Sequence, residues 1–326
     1  MSQAPGQALA ASTPASQLSS RKIPSGGRYL SFDATGFSPR LPRLARLKPH
    51  LALDPARQWF LFAVIVYGAS MLYSTFLWRR GFQRDNWINY GLLAVGFVLH
   101  TIAMAKRGFS LQHCPVNNLY EATAFVLWTI AAGSLVLGLL PKLRFLGVFT
   151  SPLLFCIGVF ALMPGLDPAP TGKPQFINGW SSLHAAMIML GYGAFGLGAV
   201  AGSMFLTQER SLKSHRAGAL FTLLPPIQRL EKMITISLII GLVLLTTGLG
   251  LGAVFVELPE GTSFQGDPKV IWSMLVWAIY AVLLVLHWKF DQRGRRHAWS
   301  AIVAFGFVIL TFWGTNLLSG IHNPAP

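Results

Sequence analysis

Residues 180–207 read WSSLHAAMIMLGYGAFGLGAVAGSMFLT, with no Asp, Glu, Lys or Arg anywhere in the run. A hydrocarbon core about 30 Å thick takes about 20 apolar residues to cross as a helix, so this segment is long enough to span. Backbone polar groups in lipid find no water, which makes the segment helical. Its row of glycines, Gly191, Gly193, Gly196, Gly198 and Gly202, suits close helix packing.

Comparable runs recur on both sides. They extend from Gln58 to Trp78, Trp87 to Ala105, Asn118 to Leu140, Phe145 to Met163, Met233 to Val256, Pro268 to Trp288 and Ala298 to Leu318. Pro141 and Pro164 end spans, and Asp267 with Pro268 opens one as an N-cap followed by a first-turn proline. Trp59, Trp78, Trp87, Trp180 and Trp288 fall near the expected interfaces. The composition agrees: 53% of residues are hydrophobic, 11% are charged and the mean hydropathy is +0.51. The reading is an all-α integral membrane protein, a polytopic bundle of about eight transmembrane helices.

Residues 1–57 form a separate region, basic and rich in Ser, Ala, Pro and Gly, without the apolar core of a signal peptide. They read as a disordered tail. The net charge of +15 is scattered over this tail and short loops, which favours a lipid bilayer and no nucleic acid as the partner. The loop with Arg210, Lys213, Arg216 and Arg229 and the loop with Lys289, Arg293, Arg295 and Arg296 are basic, so they are assigned to the cytoplasm. Residues 167–178 and 257–267 then face outward, as does the C-terminus. Counting back through eight spans also puts the basic tail outside, against the same rule, unless one early span does not cross.

Cys114 and Cys156 belong to no Cys-x-x-Cys pattern, which argues against thiol redox chemistry, a zinc site or covalent haem attachment to this chain. Phosphate loops, dinucleotide fingerprints and nucleophile elbows are absent from the sequence. Attention passes to histidines at the ends of apolar runs, since an imidazole there is costly unless it binds something. His184 and His322 fall on the outer side and His287 toward the inner end of its span. Trp180, His184 and Met187 share a helical face at i, i+4 and i+7, and Tyr280 lies seven residues from His287 with Trp277 near that stripe. Ordinary helix packing explains such spacing equally well. Two external histidines on different helices can ligate haem iron from opposite faces, whereas zinc wants three or four convergent ligands.

Four stretches together resemble the cytochrome c assembly family, in its CcsA (ResC) branch. His113-Cys-Pro-Val-Asn-Asn-Leu-Tyr-Glu121 is similar to that branch's His-Phe-Pro-Leu-Ser-Asn-Leu-Tyr-Glu element. Ser182-Leu-His184 with the helix that follows, Asp267-Pro-Lys269 with Trp272, and Gly314 through His322 resemble further elements in the family's order. The resemblance implies a cytochrome c assembly-type transmembrane domain over 58–322, in an inner (plasma) membrane. It implies that His184 and His322 hold haem b transiently on the outer side. Trp180, Phe255, Phe264 and Asp267 would lie around it, and His287 would bind haem within the membrane. It further implies a CcsB/ResB-like companion subunit and an apocytochrome c as partners, with the chain a possible component of a cytochrome c synthase. One stretch departs from the pattern. Where the family carries several tryptophans before Trp-Asp-Pro-Lys-Glu, residues 253–266 read AVFVELPEGTSFQG. That loop brings in an alternative, an accessory protein of haem homeostasis resembling the HemX or YpjD group.

Overall fold

The computed structural model describes residues 54–79, 87–111, 118–167, 179–213, 225–255 and 267–318. Among them are eight α-helices and no strand: α1 (Pro55–Arg79), α2 (Trp87–Leu111), α3 (Leu119–Gly138), α4 (Leu146–Ala161), α5 (Gly179–Lys213), α6 (Ile227–Phe255), α7 (Pro268–Lys289) and α8 (Arg295–Leu318). Each coincides with one expected span. Helices α1, α2, α3, α5, α6 and α7 are long and apolar enough to cross a membrane, which makes this a multi-pass membrane protein. Helix α4 has only 16 residues and is flanked by short 3₁₀ turns at Pro141–Leu143 and Pro164–Leu166. It packs against α1 and α3, so protein rather than lipid surrounds much of its surface.

Helix α1 starts at Pro55, ahead of the expected Gln58, because the Asp54 carboxylate accepts a hydrogen bond from the Ala56 N–H. An Asp-Pro pair thus opens α1 as Asp267-Pro268 opens α7, where Asp267 Oδ1 accepts from the N–H groups of Lys269 and Val270 at 2.9 and 3.2 Å. Asn118 caps α3 through the Glu121 N–H.

Side-chain contacts fix the direction of every helix. Arg107 near the end of α2 bonds Asp54 before α1, Glu121 in the first turn of α3 and Asp167 after α4, so these four helix ends meet. Helix α5 runs parallel to α3, with Gly193 against Thr129 and Leu197 against Gly133. It runs antiparallel to α8, where Tyr192 meets Phe312 and Gly202 approaches the backbone of Ala298. The start of α5 adjoins the end of α6, and the start of α7 adjoins the end of α8 through Trp272 Nε1, which donates to Thr311. All eight helices alternate, α1 included. The start of α1 therefore lies at the same end as His184, and no early helix turns back. At the opposite end Arg144, Arg210, Lys213, Arg229, Lys289, Arg293, Arg295 and Arg296 outnumber the acids Glu209, Glu231 and Asp291.

The core centres on α5, the most enclosed of the long helices. Its glycines let α6 approach to backbone contact: a methyl added at Gly191 would sit 3.0 Å from the Gly241 carbonyl oxygen. Phe195 stacks on Tyr280 of α7 at 3.5 Å between ring centroids. Tyr280 is thus spent on helix packing, and Trp277 donates to Thr246 of α6 at 2.8 Å. Trp277 and His287 thus both meet α6, through Thr246 and Thr235, while Tyr280 packs toward α5.

Candidate functional site

His184 stands one turn inside the start of α5. Its Nδ1 lies 2.7 Å from the backbone carbonyl oxygen of Gly248 on α6. A carbonyl only accepts, so Nδ1 carries the proton and Nε2 holds the lone pair. Nε2 has no hydrogen-bond partner among the described residues. Two glycines of α6 make this arrangement possible. A Cβ at Gly252 would lie 2.5 Å from His184 Cε1, and one at Gly248 would crowd Ile188 and the His184 carbonyl. The imidazole therefore rests in the notch left by Gly252. One turn further out, Trp180 stacks on Phe255 with centroids 4.5 Å apart and planes within 12°. Both rings remain substantially exposed, at 52% and 42%. Lys269, in the first turn of α7 beyond the Asp267 cap, lies within electrostatic range of His184.

A fixed Nδ1 proton, an open Nε2 and a neighbouring aromatic stack make up a donor set of the kind that could hold an iron porphyrin from one face. The residues fit haem as cargo. Phe264 and His322, the other expected members of the outer set, lie outside the described residues.

His287 occupies the opposite end, in the last turn of α7. Its Nδ1 is 3.1 Å from the Gln292 carbonyl oxygen and its Nε2 is 3.3 Å from the Thr235 hydroxyl of α6. The same hydroxyl lies 3.2 Å from Nε2 of His297 in the first turn of α8. The two imidazoles stack with centroids 4.3 Å apart. The connecting hairpin is itself tied down: the Gly294 N–H donates to Glu231 at 2.9 Å, and Gln292 Nε2 donates to Ser300. Gly294 adopts φ 62°, which glycine takes without the penalty of a side chain. His297 did not stand out in the sequence. The signal available was a histidine placed just after a glycine turn, ten residues from another histidine at the end of the preceding helix.

A third polar group lies at the His184 end of the bundle. Arg107 donates to Asp54, Glu121 and Asp167 at 2.6, 2.8 and 2.7 Å, Arg57 pairs with Asp167, and Asn118 Nδ2 reaches Asp167 at 2.8 Å. Both guanidinium groups lie over the Tyr120 ring at under 6 Å, at 5.7 and 5.9 Å. Glu121, in the first turn of α3, is buried in this cluster. His100 is fully buried and contacts the Tyr67 hydroxyl through Nδ1 at 3.3 Å, packed edge-on to Phe60. Among the described residues no group of three or more His, Cys, Asp or Glu side chains converges as a metal cage.

The family model described as "Cytochrome C assembly protein" matches residues 116–322. Protein NrfI of Wolinella succinogenes is 31% identical over 243 residues, covering 70% of this chain but only 25% of NrfI. The cytochrome c biogenesis protein CcsA of Thermosynechococcus vestitus is 27% identical over 270 residues, covering 71% of this chain and 85% of that protein. CcsA of Mesostigma viride is 25% identical over 290 residues, covering 81% and 92%.

Proposed function

Since the chain belongs to the cytochrome C assembly protein family, we propose that it is the membrane subunit of a cytochrome c biogenesis system that relays haem and holds it at the outer face. The observation that carries this reading is His184, with Nδ1 committed to Gly248 and Nε2 open beside the Trp180–Phe255 stack. His322 supplies the opposing ligand and Phe264 a further ring. Asp267 fixes the first turn of α7, and Lys269 in that turn is the cation for a propionate. The positive-inside rule supports placing the basic end in the cytoplasm and His184 outside.

In this reading haem contributes the vinyl groups that react with reduced Cys-x-x-Cys-His thiols of an apocytochrome. The protein contributes ligation, orientation and a water-poor setting, the terms that bring reactants together. His287 accepts haem at the inner end, with its second ligand from a CcsB/ResB-like subunit.

The test is the absorption spectrum of the chain purified from membranes, with and without imidazole. A bis-histidine spectrum is expected. His184→Ala and His322→Ala should each remove the outer haem and stop c-type cytochrome production, with imidazole restoring part of the spectrum. Unchanged cytochromes in both variants would exclude the role. A second reading, an accessory protein of haem homeostasis, draws on residues 253–266, which lack tryptophan. It requires normal c-type cytochromes in a deletion strain together with altered haem or precursor levels.

A further inference from the structure

Lys269 is held in place through its backbone. Its N–H donates to the Asp267 carboxylate at 2.9 Å, and its carbonyl accepts from the Ser273 hydroxyl, one turn along α7, at 2.8 Å. Ser273 has thereby given away its only proton, so it meets the Tyr192 hydroxyl of α5 as an acceptor and Tyr192 donates. Both side chains are buried. The Tyr192 ring packs edge-on against Trp272 and Phe312, with centroids 5.8 and 6.0 Å away. A phenylalanine ring would fill that place equally well, and a hydroxyl in an apolar core is costly unless it is bonded. The bond to Ser273 is therefore the part of Tyr192 that packing does not require. It joins the turn that carries Lys269 to the helix that carries His184, and Lys269 and His184 lie within electrostatic range of each other.

Resting on the reading of His184 as the outer haem ligand, we propose that Tyr192 and Ser273 set the distance between Lys269 and His184 and so make the outer site selective for porphyrins with free carboxylates. A porphyrin is rigid, so its iron and its propionates lie a fixed span apart. An ammonium group assists binding only when it is held at that span from the iron ligand, and here α5 supplies the ligand while α7 supplies the ammonium group. The Phe195–Tyr280 stack also joins α5 to α7, but nearly two turns deeper than Ser273, too far in to fix the first turn of α7. Tyr192 and Ser273 are positioning residues; they act on the cargo through Lys269.

The inference is tested with the full chain carrying His287→Ala, so that only outer haem is read. It is titrated at the Soret band with ferric haem and with ferric haem dimethyl ester, whose propionates carry no charge, and the ratio of the two affinities is the readout. The parent chain is expected to favour haem by about tenfold or more, the scale of a charged hydrogen bond, and Lys269→Met should bring the ratio close to one. Tyr192→Phe, which removes one hydroxyl and keeps the ring, should lower the ratio about two- to tenfold while binding of the ester holds. Ser273→Ala should match it, and Tyr192→Phe added to Lys269→Met should change the ratio no further. A packing defect weakens both ligands alike and leaves the ratio where it was. An unchanged ratio in Tyr192→Phe overturns the positioning role, even where Lys269→Met lowers it. An unchanged ratio in Lys269→Met removes the cation and the inference with it. Binding indifferent to His184→Ala in the same background would instead defeat the haem-holding reading itself.

Discussion

The two ends of the bundle hold a histidine in the same way and leave it in opposite states. His184 and His287 each give the Nδ1 proton to a backbone carbonyl, of Gly248 and Gln292, so both present Nε2 as a base. At the His184 end that nitrogen is open; at the His287 end it is covered by Thr235 and backed by His297. The carbonyl bond to Nδ1 alone therefore does not decide whether a histidine is ready to bind. What differs is the residue facing Nε2: Thr235 at the His287 end and, among the described residues, no partner at the His184 end.

The scaffolds differ too. The His184 end is pinned by fixed charges, with Arg107 joining three carboxylates, whereas the His287 end relies on a hydroxyl and a hairpin. Arg107→Met tests this contrast most severely. It leaves Glu121, 2% exposed at its side chain, and Asp167, 8% exposed, without their principal cation. Removing one partner from such a cluster costs about 3–5 kcal/mol. A large fall in melting temperature in detergent is expected, together with loss of outer haem. A variant that melts like the natural chain would mean that the four helix ends are held by apolar packing alone.

Gly252→Ala breaks the comparison at a single atom. The new methyl would fall 2.5 Å from Cε1 and 2.6 Å from Nδ1 of His184, so the ring has to leave the Gly248 carbonyl. Losing such an outer-shell bond typically costs about 10- to 100-fold in affinity, and that drop is expected for the outer haem, measured with His287→Ala in the background. Inner haem, measured with His184 removed, should be unaffected. Equal losses at both ends would reduce the effect to a general packing defect between α5 and α6.

The helices were legible because lipid leaves a long apolar segment one conformation, and eight such segments coincide with α1 to α8. Helix α1 begins at Pro55, three residues before the apolar run at Gln58, because Asp54-Pro55 carries the same opening signal as Asp267-Pro268. His184 and His287 could be singled out by position, but their states could not. The Gly248 carbonyl lies 64 residues away from His184, and its approach depends on the register in which α5 glycines meet α6. His297 follows Arg295 and Arg296 and reads as part of a solvated basic loop; only the hairpin at Gly294 folds it beneath His287.

The smallest expected effect bears on the loop that lacks tryptophan. Of residues 253–266, Phe255 is the last of α6, and the structure pairs it with Trp180 across the α5–α6 seam. If that pair serves as the porphyrin platform, Phe255→Ala should weaken outer haem by about two- to tenfold, matching the roughly 0.5–1.5 kcal/mol of one aromatic contact. Phe255→Trp, with a larger ring on the same stack, should strengthen it. His287 lacks such a platform among its described contacts, so inner haem should respond to neither change. An outer affinity indifferent to both substitutions would leave the open Nε2 of His184 without a ring to orient its cargo. A ligand that binds without orienting serves storage or sensing better than thioether attachment, so that result would shift the weight to the accessory reading.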